Sequence, residues 1–384
     1  MFPLRNLKRF FKKAIKQPGY AFLVFIKRLQ AYFFYLQGKG KSSPPEAVTL
    51  FLTYRCNLKC KMCGQWGREG VSKRQDPEFI QKELSLEELK SIIDDLASFK
   101  PNITLFGGEP LLYKDCIELI KYIKGKKLHC LIITNGFLLE EKAKEIVEAG
   151  LDELNVSLDG AKALHNQIRG MPGLFEKITA GLKSINHFKS QKNTSYPLIN
   201  LQCTISQYNY KYLEQLIDVA DEVNADSLTF HHLIFVNSNI LQRQKFYDSL
   251  LECNSSDWEG FNFQPEIPAD ILYEKMKKIL SGKYRFNVDF YPNFSYSGLK
   301  EYYKNVDYLP LDYPCRCLSP WIVAYIFPNA EVRPCLNSTY SFGNLKKEKF
   351  LTLWNGLKAV KFRRFLKEKR IFPACIRCTE LYRY

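Results

Sequence analysis

Cys56-Asn-Leu-Lys-Cys60-Lys-Met-Cys63 puts three cysteines within eight residues, at a Cys-x3-Cys-x2-Cys spacing, directly after the run Val48 to Tyr54. Thiolates are soft ligands suited to iron–sulfur clusters or zinc. A structural zinc site wants four ligands, usually from paired Cys-x2-Cys knuckles. Here three sit on one stretch with no fourth nearby. A cubane held by three cysteines leaves one iron open to a substrate or cofactor, and zinc and chance clustering are the competing readings.

Working outward, strands and helices alternate. Val48–Tyr54 reads as a strand, and Ser85-Leu-Glu-Glu88 is a capping box opening a helix to about Ser98. Further strands follow at Ile103–Phe106, Cys130–Thr134, Glu153–Ser157, Ile199–Ile205 and Ser227–His231. Helical patterns separate them at 115–124, 140–149, 174–188 and 210–223. Regular β-then-α units imply parallel strands with right-handed crossovers, in an open curved sheet or partial barrel. Loops at the C-terminal strand ends then build the active site.

Phe106-Gly-Gly-Glu-Pro110 follows the second strand. Two glycines let backbone approach a ligand closely, and Glu109 can accept hydrogen bonds from an ammonium group. With the three-cysteine run, this motif resembles the radical S-adenosylmethionine (SAM) superfamily. The agreement extends to Thr134-Asn-Gly136, Ser157-Leu-Asp-Gly160 and the segment His165–Gly173. The resemblance implies an α/β fold, a partial (β/α)6 barrel of radical SAM type. It implies a [4Fe–4S] cluster on Cys56, Cys60 and Cys63, with SAM held by Gly107, Gly108, Glu109, Pro110, Asn135, Ser157 and Arg169. The competing reading makes Asn135 and Ser157 turn formers and Arg169 a surface residue. The residue before the third cysteine, often aromatic in the superfamily, is Met62; a thioether can still pack against adenine.

Near the other end stand Cys315, Cys317, Cys335, Cys375 and Cys378, among Pro320-Trp321, Val332-Arg-Pro-Cys335, Phe342-Gly-Asn-Leu345 and Leu353-Trp-Asn-Gly356. This resembles the SPASM/twitch extension of radical SAM enzymes. Cys317, Cys335, Cys375 and Cys378 suffice for one auxiliary [4Fe–4S] cluster, with Cys315 as the alternative to Cys317; a four-cysteine zinc ribbon is the competing reading. The chain then divides into a basic arm and linker (1–45), a barrel (46–231), an insertion or substrate-covering region (232–314) and a twitch-like cluster domain (315–384).

With 384 residues, 46% of them hydrophobic, the chain is too long and apolar to be disordered. Of the net charge of +16, ten charges lie in residues 1–42, which hold no Asp or Glu, so the other 342 residues carry +6. The basic signal belongs to the arm. Leu4, Leu7, Phe10, Phe11 and Ile15 recur at helical spacing among cations, as in a helix lying in an anionic lipid interface. Nucleic-acid contact, a transit peptide and a helix packed on the barrel compete with that reading. Apolar runs are too short to span a membrane, and no secretory signature is present. Twelve cysteines, clustered rather than dispersed, point to metal ligation in a reducing cytoplasm.

The expectation is a cytoplasmic enzyme, peripheral on the membrane through residues 1–36. Its electron donor would be a flavodoxin or ferredoxin, and its substrate a lipid or lipid-linked sugar. A ribosomal peptide or a soluble sugar or alcohol is the alternative, and no nucleic acid is expected.

Overall fold

The computed structural model describes residues 18–67, 70–305 and 307–384. The strands are β1 Ala47–Phe51, β2 Asn102–Phe106, β3 Cys130–Thr134, β4 Glu153–Ser157, β5 Leu198–Ile205, β6 Ser227–His232, β7 Asn287–Tyr291, β8 Val323–Ile326, β9 Glu331–Arg333 and β10 Gly343–Asn344. They form one sheet in the order β10-β9-β8-β1-β2-β3-β4-β5-β6-β7, so the barrel is not closed. Every pair from β8–β1 through β6–β7 is parallel, and β8–β9 and β9–β10 are antiparallel. The helices of eight residues or more are α1 Pro18–Gln37, α2 Leu86–Ala97, α3 Cys116–Gly125, α4 Leu139–Glu148, α5 Lys162–Arg169, α6 Leu174–Gln191, α7 Gln215–Glu222, α8 Ser238–Leu251, α9 Ala269–Ser281, α10 Tyr296–Lys304 and α11 Leu357–Lys369.

Local chemistry explains the framework. Ser85 and Glu88 form the expected reciprocal capping box at the start of α2. Along β5, residues alternate between half-buried and buried; Ile199, Leu201, Cys203 and Ile205 join the core on the helix-covered side. The opposite, concave side carries polar side chains that bond laterally. Asn200 Nδ2 donates to Asn155 Oδ1 at 2.9 Å, Ser227 Oγ donates to Asn200 Oδ1 at 2.7 Å, and His231 Nε2 meets Gln202 Oε1. Strands β1 to β8 contain no Lys or Arg at any position.

Three features depart from the sequence reading. The stretch 232–314, expected to insert or cover, supplies β7, which extends the parallel sheet by one strand. Its Asn287-Val-Asp-Phe-Tyr291 is short and carries polar residues on the concave side, so it lacked the apolar run that marks a buried strand. The stretch 315–384, read as a domain of its own, continues the barrel's sheet, because β8 pairs directly with β1. Finally, residues 18–45 are neither free arm nor linker. In α1, Ala21, Val24, Ala31 and Tyr35 are buried, and Arg28 forms a two-pronged ion pair with Glu46. Ser42 and Ser43 are buried under the C-terminal segment, where Trp354 Nε1 donates to Ser43 O at 2.8 Å. A composition of Gly, Ser and Pro reads as a linker, yet small residues also suit close packing. The expected amphipathic helix at residues 4–15 lies outside the described residues.

Candidate functional site: two cysteine sets on one sheet

The three-cysteine loop leaves the C-terminal end of β1 and is stitched to the loops after β2, β3 and β4. After β2, the two-glycine step of Phe106–Pro110 lies directly against the β1 loop. A Cβ on Gly108 would stand 2.1 Å from Arg55 O, so only glycine fits. Glu109 N donates to Arg55 O at 2.8 Å. The Glu109 carboxylate is buried and accepts three bonds: from Leu111 N (3.0 Å), Thr134 Oγ1 (2.7 Å) and Asn135 N (2.7 Å). Burial pushes its pKa up to about 7, against the pull of those donors. Glu109 thus ties the β2 loop to the β3 loop.

From the β3 loop, Asn135 Nδ2 donates to Asn57 Oδ1 at 2.8 Å and lies 4.0 Å from Cys56 Sγ. From α5, after β4, Arg169 Nη1 lies 3.8 Å from Cys60 Sγ, and its Nε donates to Asp159 Oδ2 at 2.6 Å. Asp159 is fully buried and also accepts from Thr204 N at 2.8 Å. Arg169 is therefore a half-buried residue held beside a thiol, not a free surface one. Asp159, which holds it, stands in Ser157-Leu-Asp-Gly160, where sequence reasoning gave it no role. Ser157 stands in register with Gln202 on the concave side, and Met62 packs half-buried against the main core. The structure thus brings Asn135, Glu109 and Arg169 to the cysteine loop; Ser157 belongs to the concave wall.

Cys56 and Cys60 are each under the electrostatic influence of the other two thiols or of Cys63. All three cysteines are free. In the second set, Cys317 feels Cys335, Cys375 and Cys378, and burial pushes all four thiols up. Soft donors gathered and desolvated in this way fit a group that binds thiolates and neutralises them. Cys317 is buried and within electrostatic reach of Cys335, Cys375 and Cys378, whereas Cys315 is half-buried and within reach of Cys375. Among the described residues no three His, Cys, Asp or Glu side chains converge on a single metal ion; thiolates at separate corners of a cubane need not converge so.

The two sets are joined by side chains that sequence reasoning missed. A Cβ on Gly64, next to Cys63, would lie 2.6 Å from the Phe261 ring, and one on Gly260 would lie 1.9 Å from Gly64 O. Phe261 and Cys378 pack on the same small apolar cluster of Val236, Ile240, Trp258, Ala374 and Ile376. Tyr291, at the end of β7, donates its hydroxyl to Thr379 O at 2.7 Å and sets its ring 5.7 Å from His231. Phe261 and Tyr291 thereby join the C-terminal segment to the cysteine loop, while Cys317 lies toward α1, within electrostatic reach of Tyr35.

Comparison with known proteins agrees with this geometry. The profile of the radical SAM superfamily matches residues 50–199, and that of the SPASM iron–sulfur cluster-binding domain matches residues 315–379. The chain belongs to the radical SAM superfamily and carries a C-terminal SPASM domain. Its cofactors are accordingly SAM and a [4Fe–4S] cluster, with auxiliary iron–sulfur ligation in the C-terminal part.

Fe-coproporphyrin III synthase of Methanosarcina barkeri is 37% identical over 186 residues, 48% of this chain and 43% of that enzyme. AdoMet-dependent heme synthase of Oleidesulfovibrio alaskensis is 24% identical over 345 residues, 85% of this chain and 78% of that one. The chain spans about half the length of the curated relatives that it matches at 30% identity or more over comparable stretches. In fold it resembles Streptococcus suis SuiB bound to S-adenosylmethionine (TM-score 0.62, 16% identity, 86% of this chain and 70% of that one). It also resembles anSMEcpe with bound AdoMet (TM-score 0.53, 18% identity, 82% of each chain).

Proposed function

We propose that the protein is a radical SAM enzyme that removes hydrogen from an unactivated carbon of a hydroxyl- or amide-bearing substrate. The substrate would lie on the concave face between the two cysteine sets. When bound, the cluster on Cys56, Cys60 and Cys63 with SAM supplies a carbon radical able to take that hydrogen, and the auxiliary cluster on Cys317, Cys335, Cys375 and Cys378 can take up an electron. A flavodoxin or ferredoxin would serve as reductant.

The observation that carries the substrate class is the concave wall. Asn155, Ser157, Asn200, Gln202, Thr204, Ser227 and His231 offer hydroxyl, amide and imidazole groups in lateral register. Such groups pair with substrate hydroxyls and amides, whereas a polyanion such as a porphyrin would call for Arg or Lys, which these strands lack. The chain's own residues would bind and orient the substrate and exclude water, with His231 in reach as a proton acceptor. A lipid-carried sugar has the same hydroxyl chemistry. However, α1 lies at the N-terminal ends of the strands and the cysteine loop at the C-terminal ends, which favours a substrate entering from water.

The test uses anaerobically reconstituted protein with SAM and a low-potential reductant. Carbon-deuterated polyols and sugars on one side, and iron coproporphyrin on the other, are followed by mass spectrometry. Deuterium transfer into 5′-deoxyadenosine from a hydroxylated compound supports the reading. Transfer from the porphyrin alone, or no SAM cleavage at all, would overturn it.

A further inference from the structure

Helix α1 is apolar on two faces. The inner one, Ala21, Val24, Ala31 and Tyr35, is buried. It is fixed by Lys27 Nζ donating to Phe99 O (2.7 Å) and Lys100 O (2.9 Å), by the Arg28–Glu46 pair, and by Tyr35 standing edge-on to Trp321 at 5.2 Å. The outer face carries Phe22 (68% exposed), Leu29 (46%), Phe33 (58%) and Leu36 (57%). Their spacing of seven, four and three residues keeps them in one stripe about 21 Å long at 1.5 Å per residue. A helix that is apolar all round is normally covered on all sides. An exposed apolar stripe of this size marks an interaction surface.

The charge around the stripe identifies what it faces. Residues 1–42 contain no Asp or Glu, and Arg5, Lys8, Arg9, Lys12, Lys13 and Lys16 precede the helix in sequence. At its other end Lys39 and Lys41 are exposed. Helix α11 packs beside them, with Lys367 Nζ donating to Leu36 O at 2.9 Å and Arg363 Nη1 to Gly40 O at 3.2 Å. It presents Leu357, 92% exposed, together with exposed Lys358, Lys361 and Arg364. An apolar stripe bordered at its C-terminal end by cations, on a segment without Asp or Glu, is complementary to an anionic lipid surface, where acyl chains meet negative headgroups. A second copy of this chain would instead bring two cationic rims together, because a two-fold contact places like against like.

We infer that the outer face of α1, with the exposed cations of α11, docks the protein on an anionic membrane. The open end of the sheet then points away from the lipid. Lys27, Phe99, Lys100 and Glu46 all lie at strand N-terminal ends, opposite the cysteine loop. This attachment is independent of the substrate reading, since it uses no residue of the concave wall.

The experiment is co-sedimentation of the full-length, cluster-loaded protein with phosphatidylcholine vesicles, with and without phosphatidylglycerol, at low and high salt. Binding should be at least about ten-fold tighter to the phosphatidylglycerol vesicles and should weaken with salt. The double variant Leu29→Ser with Phe33→Ser should weaken it about ten-fold or more, and so should Lys358→Gln with Lys361→Gln. Iron content and melting temperature should stay at the wild-type level, because these four side chains are exposed. Binding to neither vesicle type would overturn the inference. So would equal binding to both, or a dimer that the Leu29/Phe33 variant dissociates.

Discussion

Arg169 concentrates the local chemistry of the site, because its guanidinium touches the Cys60 thiol on one side and the buried Asp159 on the other. Arg169→Ala leaves that carboxylate buried without its partner, which typically costs about 3–5 kcal/mol. Chemical denaturation should register this loss, and titration calorimetry should show weaker SAM binding with iron retained. Arg169→Lys should recover part of the stability but less of the affinity, since one ammonium cannot reach both groups. Unchanged stability in the alanine variant would show that the Asp159 pair is not formed. The cysteines admit a stoichiometric check. Reconstituted protein should hold about eight irons, as two cubanes. With Cys56, Cys60 and Cys63 all changed to Ala it should hold about four and cleave no SAM. At this scale the sequence was most informative where chemistry is local: three thiols within eight residues and two glycines before Glu109 announce themselves. Asp159 and Phe261 did not, because what they do depends on partners 10 and about 200 residues away.

Among the elements, α1 is the one whose assignment changes most between sequence and structure. Removing residues 1–36 strips the sheet of Val24 and Tyr35 and leaves Glu46 without Arg28. The expected cost is at least about 5 kcal/mol, from two large apolar side chains and a broken part-buried ion pair. A lower melting temperature and aggregation are expected, and a truncated protein as stable as the full chain would show that α1 is not docked. The six βα units were legible because periodicity survives in each strand and helix separately. β7 and β8 were not. The first is five residues of mixed polarity among aromatic loops, and the second declares itself only by pairing with a strand more than 270 residues earlier in the chain. Which strand lies beside which is a long-range fact that no local pattern encodes.

At the scale of the whole molecule, two buried histidines make stability depend on pH. Burial, reinforced by Arg169 for His165 and by His231 for His232, pushes both down to about 3. The native state therefore keeps them neutral where the unfolded chain, near 6.5, binds protons, so stability rises with pH. Their contribution is complete above about pH 6.5 and is lost progressively as pH falls toward 3. At pH 5 each removes about 2 kcal/mol. His165→Gln with His232→Gln should flatten the melting temperature between pH 7 and 5, and an unchanged slope would assign acid sensitivity elsewhere. His165 Nδ1 accepts from Asp159 N at 3.0 Å, so protonation there also breaks a bond inside the site. The pairing of β8 with β1 has a last consequence, for turnover. The hydrogen-bonded seam between the two strands ties the start of the C-terminal part to the barrel. The gap an electron must tunnel between the two centres is then set once, when the chain folds.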